Sequence, residues 1–80
     1  MTLREDMHDI INTLFHDRVF CLAEVTDEYM RITGRSSWER SHLIAKFWGF
    51  MKDDEKDGIY RRVRVFNKKG TTVWWEKVEA

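Results

Sequence analysis

Leu3, Met7, Ile10, Ile11 and Leu14 recur at three- and four-residue intervals with Phe15 beside them, one stripe of a period of about 3.6 residues. Thr2 and Glu5 stand at the spacing of a capping box, in which hydroxyl and carboxylate each satisfy an orphan amide at a helix start. Together they predict a first helix over about residues 3–15. The apolar run 19–23 is too short to assign by period, and Val19-Phe20 favours a brief extended piece. Leu22, Val25, Tyr29 and Ile32 return to helical spacing. This second helix, over about 22–33, starts either near Leu22 or at Thr26, where Asp27 and Glu28 would favour a first turn. Gly34 ends it, because a residue without Cβ takes the left-handed position cheaply.

Ser36 and Glu39 repeat the capping-box spacing, so a third helix, about 37–51, should begin two or three residues after the second stops. Leu43, Ile44, Phe47, Trp48, Phe50 and Met51 fall on one side of its wheel, at about 100° per residue. Trp38, His42, Ala45 and Gly49 lie opposite, flanked by Ser41 and Lys46. Arg40 falls toward the core side, where pairing with Asp27 or Glu28 is expected. Residues 52–58 contain no apolar side chain before Ile59 and read as a solvated connection.

Residues 59–66 and 71–78 are rich in β-branched and aromatic types and flank Asn67-Lys68-Lys69-Gly70, a good hairpin turn. A bulge at Gly70 would set Val65 against Val73 and Val63 against Trp75. The other face would then oppose Arg62 to Glu76 and Arg64 to Trp74. One of the adjacent Trp74 and Trp75 must point away from the core.

Composition narrows the picture. The 80 residues make one domain, spanning 1–80, whose four Trp, five Phe and two Tyr supply large core side chains in a chain that is 35% charged. Net charge is zero. That zero conceals a split: residues 1–30 carry two basic and seven acidic side chains, residues 31–80 twelve and seven. A basic C-terminal part suits phosphate, and an acidic N-terminal part suits another protein. No apolar run spans a membrane, and residues 1–9 lack a signal-peptide pattern, which gives a cytoplasmic reading. Cys21 lies in an apolar run and is expected to be a buried, inert thiol. His8, His16, His42 and Cys21 match no zinc signature, and the acidic run at 53–57 lacks the alternation of a calcium loop. With no GxSxG, phosphate loop, HExxH or Cys pair, no enzyme, cofactor, metal or small-molecule substrate is expected.

Gly34-Arg35-Ser36 is similar to the G-x-S corner of the winged helix-turn-helix superfamily, and Leu43 fits an apolar position of that family's third helix. Met30 and Arg40 stand where the family usually has a small and an apolar residue. The order of helix, extended piece, helix, tight turn, helix and hairpin resembles the superfamily over nearly the whole chain. The resemblance implies an α+β fold, a three-helix winged helix-turn-helix with a C-terminal two-stranded β-hairpin wing. It also implies a DNA-binding protein, in keeping with a small transcriptional regulator, bound as a homodimer on paired half-sites. Trp38, Ser41 and His42 would then lie near base edges as the third helix enters the major groove, with Ser37 among the DNA-binding residues. Lys46 and Arg35 would meet phosphates, as would Lys68 and Lys69 at the wing tip.

A second reading competes. Trp38, His42, Ala45 and Gly49 form a stripe that is large at one end and small at the other, suited to a protein partner or a homodimer mate. On that reading the chain is an interaction module, a small accessory or inhibitory protein such as mobile elements carry.

Overall fold

The computed structural model describes residues 2–63 and 73–78. Helix α1 (Leu3–Leu14) leads into a two-residue strand β1 (Phe20–Cys21), which runs directly into α2 (Leu22–Thr33). A short 3-10 turn (Ser37–Glu39) precedes α3 (Arg40–Lys56), and strands β2 (Tyr60–Val63) and β3 (Trp74–Lys77) complete the described chain.

The local start and stop signals act as the chain chemistry requires in two places. Thr2 Oγ1 accepts from the Glu5 amide at 3.1 Å while the Glu5 carboxylate accepts from the Thr2 amide at 2.8 Å, so α1 opens with a complete capping box. Gly34 closes α2 at φ 70°, donating its amide to Met30 at 2.8 Å. Of the two possible starts for α2 the structure takes the earlier. The Cys21 amide donates to the Glu24 carboxylate at 3.1 Å, and Thr26 sits mid-helix, fully buried.

The second capping box does not form. The Ser36 hydroxyl makes no cap bond, and Glu39 instead accepts from Arg35 at 3.1 Å. The third helix also differs at both ends from the expected 37–51. It opens with the 3-10 turn and then continues to Lys56, so most of the supposed solvated connection is helical. The cause is Asp54, which is fully buried. Its carboxylate accepts from Arg4 on one oxygen and lies 2.7 Å from His8 Nε2 on the other, tying α3 to the start of α1. Asp57 and Gly58, the latter at φ 80°, then turn the chain, and the Ile59 amide donates to the Asp54 carbonyl at 2.9 Å.

The sheet is three-stranded and antiparallel, in the order β1-β3-β2, rather than a two-stranded hairpin. The short extended piece expected at 19–23 supplies the third strand, pairing Phe20 with Trp75 and Cys21 with Trp74. Its partner lies over fifty residues away in sequence, so local patterning does not reveal it. The β2–β3 register is one residue from the expected one. Val63 opposes Trp74, Arg62 opposes Trp75 and Arg61 opposes Glu76. A slip of one residue exchanges faces, and here it lets Tyr60, Trp75 and Phe20, all buried, share the core face. Burying those three rings outweighs a face built from valines. The salt pair falls to Arg61–Glu76 at 2.9 Å, and Arg62 closes the edge of the core over the rings of Trp48 and Trp75, 5.2 Å from each centroid. Trp74 is the outward member of its pair, half-buried. The expected pairings of Val65 and Arg64, the Asn67-to-Gly70 turn, Lys68 and Lys69 lie outside the described residues.

The core joins Met7, Ile10, Ile11 and Phe15 of α1 and its C-cap, Val25 and Tyr29 of α2, Leu43, Phe47 and Met51 of α3, and the three sheet rings. Cys21 is a buried free thiol. Leu14 and Ile32, at the ends of their stripes, are exposed, and Leu3, Trp48 and Phe50 pack only partly buried against the core. No helix among the described residues is long and apolar enough to cross a membrane.

Candidate nucleic-acid interface

The outward face of α3 follows from what its inward face is committed to. Leu43, Phe47, Met51 and Asp54 occupy one side and are buried, so residues about half a turn away must face solvent. Ser41, His42, Ala45, Lys46, Gly49, Lys52, Asp53 and Lys56 lie at the surface or at its edge. At 17 residues the helix is about 26 Å long, and its face carries His42, Lys46, Lys52 and Lys56 against one acid, Asp53.

Trp38, the middle residue of the 3-10 turn, is 80% exposed, the most exposed large apolar side chain described. Ser37 beside it is exposed as well. The tight turn after Gly34 thus presents an uncovered indole at the N-terminal end of α3, with the His42 imidazole in the first turn of the helix. Gly49 lies further along the same face, and a methyl group added there would meet no atom within 4 Å. Internal packing therefore does not require glycine at that position.

The basic side chains fall into two groups. Lys46, Lys52 and Lys56 have no ion-pair partner among the described residues. The described arginines are engaged. Arg35 stacks over the Tyr29 ring at 5.5 Å and donates to Glu39 at 3.1 Å, and the Tyr29 phenol, then Glu39, raise its pKa above the ordinary arginine value. Arg40 donates to Asp27 at 2.8 Å, the bond expected from its side of the wheel, and that bond raises its pKa. These pairs fix the corner between α2 and α3 rather than offering free charge.

Of the residues singled out from the sequence, Ser37, Trp38, Ser41, His42 and Lys46 lie along one outward face, with Arg35 beside it but held by Tyr29 and Glu39. Lys68 and Lys69 are outside the described residues. Lys52 and Lys56 join the face only in the structure, because a helix ended at Met51 leaves them in a loop. Their signal is the helical phase itself: Asp54 continues the Phe47–Met51 stripe at three residues, in a position where a charge is easily mistaken for the end of the core. Among the described residues no three of His, Cys, Asp and Glu converge as metal ligands would. No protein-family model, no curated protein and no solved structure matches this chain.

Proposed function

We propose that this protein is a winged helix that binds double-stranded DNA through the outward face of α3, in the manner of small transcriptional regulators. The observation that carries the proposal is the outward face itself: an uncovered indole and an imidazole at the N-terminal end of α3, followed by three lysines without ion-pair partners among the described residues. The element order, with β1 hydrogen-bonded to β3 ahead of a tight α2–α3 corner, supports the winged-helix assignment. In helix-turn-helix docking the N-terminal residues of the second helix of the motif meet base edges while flanking cations meet phosphates. Trp38, Ser41 and His42 take the first role, and Lys46, Lys52 and Lys56 the second. A neutral chain binding one half-site is weak, so a homodimer spanning half-sites about 34–36 Å apart is expected.

The test is a salt titration of binding to random duplex DNA. Counterion release makes the logarithm of affinity fall linearly with the logarithm of salt, with a slope of about −0.9 per phosphate neutralised. Three lysines predict a slope of about −3 per chain, and a steeper one with further phosphate contacts. No binding at low salt, or a slope indistinguishable from zero, refutes the reading.

One observation favours protein contact through the same face. A glycine inside a helix costs roughly 1 kcal/mol relative to alanine, and nothing inside this molecule requires one at Gly49. Close approach of another backbone beside a large exposed indole would use both features. A Trp38→Ala variant that stays folded but loses self-association or a protein partner, in a protein that shows no salt-dependent DNA binding, would support this second reading instead.

A further inference from the structure

The apolar stripes of α1 and α2 each end on a side chain that the core leaves uncovered. Leu14 is 43% exposed and Ile32 58%, although earlier members of the same stripes, Met7, Ile10 and Ile11 on one helix and Val25 and Tyr29 on the other, are buried. Between the two helices runs an open trough of about 450 Å³, with Ile10, Thr13 and Leu14 on one wall and Tyr29, Ile32 and Thr33 on the other. Two large exposed aliphatic side chains facing one trough mark an interaction surface better than the same residues scattered singly.

The rim says what kind of occupant fits. Asp6 and Asp9 border the trough on the α1 side, and neither has an ion-pair partner among the described residues. Arg31 borders the other side but is engaged by Glu28 at 2.8 Å. Asp6 also borders the adjoining groove lined by Arg35, His42 and Lys46, but none of these lines the trough itself, whose rim is net negative with two acids against one engaged arginine. A two-fold mate seated in the same trough would bring like-charged rims together, which opposes self-association there. From Asp6 to Leu14 the wall is about 12 Å long, two turns of helix.

We propose that this trough docks a short amphipathic helix of a partner protein, with aliphatic anchors in the trough and Lys or Arg flanks that reach Asp6 and Asp9. This is helix-in-groove recognition, read through anchors at i, i+3 or i+4, and i+7. It uses α1 and α2 and no residue of the α3 face, so it stands or falls independently of DNA binding.

The experiment uses the full chain and two labelled synthetic helical peptides of about fourteen residues with leucine anchors at that spacing, one with lysine flanks and one with glutamate flanks. Fluorescence anisotropy at low salt should detect the lysine peptide and not its twin, and amide shifts should change at Thr13, Leu14 and Ile32. Ile32→Asp alters an exposed site and should weaken binding at least about tenfold, as loss of an anchor does. Asp6→Lys with Asp9→Lys should reverse the preference between the twins. Leu14→Asp serves the same purpose should Ile32→Asp lose its helical circular dichroism. The proposal is overturned by no binding of either peptide, by equal binding of both, or by binding that these substitutions leave unchanged. Sedimentation showing a dimer that Ile32→Asp dissociates would overturn it too, assigning the trough to a second copy.

Discussion

Asp54→Asn tests the contact that sets the length of α3. The wild-type carboxylate is fully buried and meets Arg4 through Oδ1 and His8 Nε2 through Oδ2 at 2.7 Å. An asparagine of nearly the same shape keeps one acceptor oxygen but turns an N–H₂ group toward one of these partners. It also removes the charge that balances Arg4, whose pKa the Asp54 hydrogen bond raises. Hydrogen bonds to charged groups contribute about 1.5–3 kcal/mol each. The side chains of Arg4 and His8 are 39% and 30% exposed, so water recovers part of the loss on their side. A net destabilisation of about 2 kcal/mol follows, a large share of the roughly 4–12 kcal/mol expected for a domain of this size. Urea unfolding followed by circular dichroism at neutral pH measures it directly, with a cycle through Arg4→Ala and the double variant isolating the pairwise part. A loss below about 0.5 kcal/mol, or no coupling between the two sites, would refute the claim that this buried carboxylate anchors the helix.

Three further outcomes are expected. Gly49→Ala should stabilise the free protein by roughly 0.5–1 kcal/mol, raising Tm by a few degrees, since the added methyl finds open space in a helix interior; a lowered Tm would mean the outward face of α3 is packed rather than open. Burial, with the charge of Asp54 second, pushes the Tyr60 phenol above its ordinary value of 10.0. Below that pH the phenol is protonated in both states and contributes no slope. Above it the unfolded chain releases the proton while the folded chain keeps it, so stability falls by at most about 1.4 kcal/mol per pH unit. Tyr60→Phe should flatten that part of the alkaline unfolding profile, and an unchanged profile counts against it. Lys46→Glu, Lys52→Glu and Lys56→Glu together should leave the fold intact and reduce the salt slope of DNA binding by about 0.9 for each phosphate no longer neutralised; an unchanged slope removes α3 from the interface.

What could be read from the chain was local. The Thr2–Glu5 box and the Gly34 stop depend on neighbours within a turn, and the outward placement of Trp38 and the inward one of Arg40 follow from the phase of one helix, although phase does not choose which acid of α2 Arg40 meets, Asp27 or Glu28. What could not be read was decided elsewhere. Glu39 had two competing uses, the Ser36 cap or Arg35, and spacing alone does not choose between them. The sheet register depended on which residues of β2 face inward. That was settled by Tyr60 and Phe20 meeting at 6.2 Å, edge to face, between distant segments. Leu14 and Ile32 fit their stripes by period, yet periodicity does not say how far along a helix its neighbour continues to cover it.

The end of α3 shows how a misplaced charge changes a functional reading. Asp53, Asp54 and Glu55 stand in the last turns of the helix, where the macrodipole disfavours carboxylates, and so a sequence reading stops the helix before them. Burial of Asp54 against Arg4 and His8 offsets that cost for one of the three, and Arg62 relieves another by pairing with Glu55 at 3.1 Å. Of the three, Asp53 is left without a partner among the described residues, next to Lys52. The inward contact of one carboxylate therefore determines whether Lys52 and Lys56 belong to a loop or extend the face begun by Trp38 and His42. By that argument Asp54→Asn should fray the last turns of α3, seen as faster amide exchange there than in α2. On the proposed DNA-binding reading the salt slope should then shrink by up to about 0.9 for each of Lys52 and Lys56, even though no side chain of the outward face has been changed; amide exchange as slow as in the parent, or an unaltered salt slope, would break the link.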